Sequence, residues 1–146
     1  MSPEERKALL IHALDDIWNR GALEAADALA GAEFAAESNT LGLAPHAGLA
    51  QVKRSVALYR AAFPDLRVTF DDVLAEAEMV AIRFTATGTH LGQMLGIPPT
   101  GKRVTVENIT IYHLRDGKII SQHGLTDTLG LLQQLGAAPP QGRTGA

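Results

Sequence analysis

Residues 103–127 read RVTVENITIYHLRDGKIISQHGLTD, and this stretch decides the fold. Apolar and polar side chains alternate on both sides of Asp116-Gly117, the period of two that half-buried strands require. An Asp-Gly pair between two such runs is a strong hairpin signal, so strands are predicted over 103–114 and 118–127. The loop length then sets which side chains meet. A two-residue loop pairs Thr110 with His123, whereas a three-residue loop with Gly117 left-handed pairs Thr110 with Gln122. A one-residue change in register exchanges the two faces of the hairpin.

The same period extends upstream. Leu66, Val68 and Phe70 alternate with polar neighbours, and Val80, Ile82 and Phe84 repeat the pattern after a turn at Glu76–Glu78. Four or more antiparallel strands are expected from these runs. Before residue 64 the period is helical. Ser2, Pro3 and Glu5 form a capping box, and Leu9, Leu10, Ala13, Leu14, Ile17 and Trp18 make one apolar face, so a helix is predicted over about 3–19, ended by Gly21. A short helix is expected over 23–29, and an irregular stretch over 32–47 with Asn39, Gly42 and Pro45 as turn formers. Another helix is predicted over about 48–63, with Leu49, Val52, Val56, Tyr59 and Phe63 inward and Pro64 as its stop. Leu129, Leu131, Leu132 and Leu135 suit a short closing helix, and a loose tail is expected from Ala137. Helices first and an antiparallel sheet after them make an α+β fold, a single domain over 1–136.

Composition narrows the function. At 146 residues, 46% apolar and 20% charged, the chain suits one globular domain rather than a disordered or fibrous segment. With no cysteine there is no disulfide framework, thiol nucleophile or cysteine metal site. A net charge of −3 without any Lys/Arg run argues against a nucleic-acid surface. The five histidines show no tight ligand spacing, so no metal is expected, and the glycines of 88–101 lack the strand-to-helix setting of a phosphate loop. No apolar run has the length of a membrane span and no basic-then-apolar leader opens the chain. A cytoplasmic domain acting on a small molecule is the expectation.

Three stretches carry a resemblance: AAFPDL at 61–66, GTHLGQMLGIPPTGK at 88–102, and DGKI with the later DTLGLLQQLG at 127–136. Together with the first helix and its Trp-Asn-x-Gly ending, they are similar to the SnoaL-like polyketide cyclase family over roughly residues 7–136. The resemblance implies a cone-shaped fold, shared with ketosteroid isomerases, in which helices pack on a strongly curved antiparallel sheet and enclose an apolar pocket. It also implies cofactor-independent ring closure by an intramolecular aldol step, with an acidic residue on the last strand as acid and base. Aligned through DGKI and the final Leu-Gly, that acid falls at Gly124, its assisting histidine at Thr110, and an asparagine of the early strand near Ala36. Asp127 matches an acidic position that recurs at the end of this strand in the wider family, and it equally suits the cap of the closing helix.

The resemblance favours the three-residue hairpin loop. Asn108, Thr110, Tyr112, Ile120, Gln122 and Gly124 then share the concave face, and Thr105, Glu107, Ile109, Ile111, His113, Ser121, His123 and Leu125 share the other. Asn108 and Gln122 are candidates for polarising a carbonyl or orienting water. Glu37 and His46, in the segment expected to roof the pocket, are candidate acids or bases together with Asp127. His90, in the Gly-Thr-His turn, is a candidate donor to substrate; Thr110 and Tyr112 lie on the concave face, and Trp18, Tyr59, Phe63 and Met94 are candidate walls.

The leading expectation is a cofactor-free enzyme catalysing cyclisation, isomerisation or water addition on an apolar oxygenated, polyketide-like metabolite. The rival is a non-catalytic small-ligand binder of the same fold; an association module has less behind it. An inward acid or base favours the enzyme, and a cavity of amides and hydroxyls alone favours the binder. Ile109, Ile111 and Leu125 on the outer face predict a homodimer through that face.

Overall fold

The computed structural model describes residues 1–137; the expected loose tail falls almost wholly outside the described residues. Helix α1 spans Pro3–Arg20, α2 Glu24–Leu29, α3 Leu49–Ala62 and α4 Thr128–Gln134. The strands are β1 Ala30–Ser38, β2 His46–Ala47, β3 Arg67–Glu76, β4 Met79–Thr89, β5 Arg103–Arg115 and β6 Lys118–Thr126. They form one sheet in the order β2-β1-β6-β5-β4-β3. Helices pack on one face of it, α1 along β3, α3 over β1 and α4 on β5, so the class is α+β.

Local chemistry explains the helices. Ser2 and Glu5 exchange side-chain and backbone hydrogen bonds in the expected capping box, and Gly21 ends α1 in the left-handed conformation. Leu10, Leu14 and Ile17 are buried from α1, and Val56 from α3. Phe63 has left the helical region (φ −126°, ψ 82°), as the proline after it favours, and its side chain is buried. Leu10, Leu14, Ile17 and Val56 meet Val80, Ile82, Phe84, Tyr112 and Leu114 of the sheet in the main core.

The sheet departs from expectation in two places. Residues 30–38 form a strand where an irregular stretch was expected, and it lies parallel to β6, so the sheet is mixed. The segment AGAEFAAES is rich in small residues and glutamate, which carry little strand preference; pairing with the free edge of β6 overrides that. The second departure is the hairpin. Asp116 and Gly117 both have positive φ and form a two-residue loop, with Arg115 opposite Lys118 and Leu114 opposite Ile119. A bulge then shifts the register, so that His113 faces Ser121, Tyr112 faces Gln122 and Thr110 faces Gly124. The expected division of faces is preserved except at Ile120. Ile119 enters the core in its place.

Side-chain amides pin the elements to strand backbones. Asn19, at the end of α1, accepts from Val68 N (2.7 Å) and donates to Val68 O (2.9 Å). Asn39 binds Thr126 in the same way, and Gln134 of α4 binds Thr105. The AAFPDL turn has its own clamp. The Asp65 carboxylate accepts from Thr89 N at 2.7 Å and from Thr89 Oγ1 at 2.8 Å, across to the end of β4. Those bonds lower the Asp65 pKa.

Two outcomes follow from these clamps. Asn19→Ala strands the backbone groups of buried Val68 and is expected to cost about 2 kcal/mol in urea unfolding, without altering the fold. For Asp65, a folded-state value below the unfolded one stabilises above the ordinary Asp range, and the contribution is lost as pH falls through the folded value. Asp65→Ala is therefore expected to lower the urea midpoint at pH 7 and to leave it close to that of the parent chain at pH 2.

Candidate functional site

Between α1, α3 and the concave face of the sheet lies a cavity of ≈ 160 Å³. Alternation along the strands fills its wall. Asn108, Thr110 and Tyr112 of β5 line it together with Gln122, Gly124 and Thr126 of β6, because even-numbered residues point inward on both strands beyond the bulge. Trp18, Tyr59 and Phe63 close it from the helical side, and Ser38, Thr40 and Leu43 border its roof. The Trp18 and Tyr59 rings meet edge to face, with centroids 6.4 Å apart.

Five polar side chains of the wall form one connected chain. Thr110 Oγ1 donates to Asn108 Oδ1 (2.6 Å), and Asn108 Nδ2 donates to Thr126 Oγ1 (2.7 Å). Thr126 Oγ1 meets Thr40 Oγ1 at 2.8 Å, and Thr40 meets Ser38 Oγ at 2.6 Å. This chain holds the Asn108 amide in one orientation and leaves it one N–H for a guest. Gln122 is different. Its amide has no hydrogen-bond partner among the described residues, and small Ala36 stands beside it in register. Tyr59 donates to Leu41 O at 2.7 Å, tying α3 to the roof. Burial raises the pKa of both cavity tyrosines, Tyr59 and Tyr112, well above the usual phenol range, so they stay protonated at neutral pH.

Among the described residues, no carboxylate, imidazole, lysine or arginine lines this cavity. Glu37 and His46 do not roof it. Strand alternation turns Ala36 inward and Glu37 outward, where its carboxylate lies 2.8 Å from His123 Nε2 and 3.3 Å from His46 Nδ1 on the outer sheet face. Asp127 is also outside: it caps α4 and accepts from Gly130 N at 3.0 Å. His90 is fully buried behind Phe63, its Nδ1 accepting from Thr100 N and meeting the Thr100 hydroxyl, so it pins the 90–102 loop instead of reaching the cavity. Met94 packs in a second core cluster with Ala62, Phe63, Val104 and Leu135, and is not a cavity wall. Among the described residues no group of three His, Cys, Asp or Glu side chains is placed to hold a metal ion.

Ser38, Thr40, Ser55 and Thr126 belong to the wall and escaped the sequence reading. Thr126 was legible, since it continues the series Gln122, Gly124 at the same spacing. Ser38 and Thr40 were not, because β1 and the connection after it gave no signal of their own.

The two positions where the resemblance expects an acid and its assisting histidine prove to be direct cross-strand partners, Gly124 and Thr110. A Cβ at Gly124 would stand 2.6 Å from Thr110 Oγ1, so the threonine occupies the room a side chain there would need. Thr110 and Gly124 thus fit one another in volume in the wall.

A family model described as SnoaL-like polyketide cyclase matches residues 8–135. The aklanonic acid methyl ester cyclase AcmA of Streptomyces galilaeus is 37% identical over 65 residues, which are 44% of this chain and 45% of that relative. The chain spans less than half the length of the curated relatives it matches. Among solved structures, AclR, a proposed hydroxylase of Streptomyces galilaeus, superposes with a TM-score of 0.84 at 29% identity, covering 97% of this chain and 91% of its own. IdmH, a proposed polyketide cyclase of Streptomyces antibioticus, gives 0.78 at 25% identity, covering 93% and 99%. With the cone-like helix-on-sheet architecture, the enclosed cavity and a family match over nearly all the described residues, the chain belongs to the SnoaL-like polyketide cyclase family.

Proposed function

We propose that the cavity binds a neutral, largely apolar, oxygenated molecule of the polyketide kind and holds its oxygens on the amides of Asn108 and Gln122. The observation that supports this is the make-up of the wall, where the polar side chains are hydroxyls, amides and two protonated phenols. Such a set recognises carbonyl and hydroxyl groups without a charge to desolvate. It offers no group that takes up a proton near neutral pH, which favours binding over acid–base ring closure. Family membership favours a second reading, cofactor-independent cyclisation, isomerisation or water addition. In that reading the same amides stabilise a developing enolate oxygen, and the proton moves to water or within the substrate.

One experiment separates the two. Aklanonic acid methyl ester, the compound class named for the curated relatives, is titrated against emission of Trp18, the chain's one tryptophan, and the mixture is followed by chromatography. Saturable binding is expected, weakened about threefold to tenfold by Gln122→Ala, with conversion no faster than in buffer. Conversion above the buffer rate would replace the binding reading with the catalytic one; no saturable binding would remove both for this ligand class.

The outer face of the sheet supports a homodimer. Ile109 and Leu125 are cross-strand partners and are 55% and 70% exposed; Ile111, beside them, is 42% exposed. Glu107, His113, Ser121 and His123 share that face and would surround the apolar centre. We expect light scattering at micromolar concentration to give about twice 15.5 kDa, and Ile111→Asp to give the single-chain mass. A single-chain mass for the parent protein would rule the dimer out.

A further inference from the structure

The main cavity is small for the molecules its wall suits. An apolar cavity of about 150 Å³ takes a guest the size of benzene, and this one measures ≈ 160 Å³. A guest with several fused rings therefore needs part of the wall to move. The sheet is held by its ladders, and α1 and α4 are tied to strand backbones by Asn19 and Gln134. The roof is held differently. Its segment 39–45 joins β1 to β2, and Thr40 and Leu43 border the cavity. The ends are clamped, Asn39 to Thr126 as above, and Pro45 O accepting from Ser38 N at 3.2 Å. Between them, residues 41–44 make one hydrogen bond to another element among the described residues, from Tyr59 to Leu41 O.

A leucine in an uncommon conformation covers this stretch. Leu95 and Gly96 form the two-residue tip of a turn between Met94 and Ile97, with φ of 49° and 84°. Such tips are dominated by Asn, Asp and Gly, because positive φ crowds a Cβ. Leu95 is also 50% exposed, so neither the turn nor burial accounts for leucine there. Its side chain reaches the roof instead. A Cβ at Gly42, where φ is 82°, would stand 3.6 Å from Leu95 Cδ1 and 2.8 Å from Leu58 Cδ2 of α3. Glycine at 42 thus lets both leucines close on the roof. A strained residue kept at such a contact points to a role for the contact. We propose that residues 41–44 are a flap, latched by Leu95, that swings outward to hold ring systems larger than the closed cavity admits. This rests on the reading of the main cavity as a small-molecule site. It assigns the choice between one-ring and fused-ring guests to the latch.

The test compares acetophenone, with one ring, and 9-fluorenone, with three, each titrated against Trp18 emission. The chain has no cysteine, so Gly42→Cys with Leu95→Cys introduces a single thiol pair, which a short bismaleimide bridges. Relative to the same variant before bridging, acetophenone affinity is expected to stay unchanged and fluorenone affinity to fall at least about tenfold. Leu95→Gly, which suits the positive φ and removes the latch, is expected to raise fluorenone affinity about threefold to tenfold and to leave acetophenone unchanged. Fluorenone bound equally before and after bridging overturns the flap, as does a Leu95→Gly effect that is absent or equal for both guests. If the bridged variant does not fold, Leu95→Gly decides alone. A parent chain that binds acetophenone but not fluorenone also overturns the flap while upholding the main site. Absence of binding by both ketones overturns both readings.

Discussion

The bulge between Ile119 and Ser121 sets the parity of the β5–β6 ladder, and parity decides which side chains meet a guest. On the turn side of the bulge, Leu114 and Ile119 face the helices. Beyond it, one extra residue in β6 brings Gln122, Gly124 and Thr126 inward opposite Tyr112, Thr110 and Asn108. Continuing the two-residue register without the bulge would have placed His123 opposite Thr110 and turned the histidine inward. The neutrality of the cavity is therefore a consequence of strand geometry, and it places the chain's His and Glu cluster, Glu37 with His46 and His123, on the opposite face.

Holding that wall in place falls to amide side chains acting as substitute strand neighbours. Asn19, Asn39 and Gln134 each satisfy both backbone groups of one strand residue, at Val68, Thr126 and Thr105. Each tethers a different element, the end of α1, the roof segment and α4, around the cavity. Hydrogen bonds of this kind contribute modestly when made and cost more when one partner is lost, so they specify position more than they add stability. Within this frame Thr110 and Gly124 are complementary in volume, and the polar chain from Thr110 to Ser38 fixes the Asn108 amide.

Much of this was legible in the sequence. Capping and apolar spacing defined α1 and α3, and alternation with Asp116-Gly117 defined the hairpin and the face on which Asn108, Thr110 and Gln122 lie. What escaped had physical causes. A bulge leaves no compositional mark in KIISQ, so the loop length was misjudged although the faces came out right beyond Ile120. Strand β1 is mostly small residues and glutamate with little strand preference and is ordered by its neighbour, so Ser38 and the following Thr40 could not be placed; Glu37, a candidate acid or base only if inward, is turned outward by alternation. His90 and Met94 sit in a loop whose residues could serve a pocket or a core equally well, and packing against Phe63 decided for the core.

The central claim is that a guest meets the neutral concave wall and not the charged outer face. It is tested most directly by nitrogen-15 NMR during titration with α-tetralone, a compact bicyclic ketone without an alkyl arm. The side-chain amide resonances of Asn108 and Gln122 should shift saturably, while the backbone amides of Glu37, Ile109, Ile111 and His123 stay in place. Saturable shifts confined to the outer set, with Asn108 and Gln122 unmoved, would contradict the account.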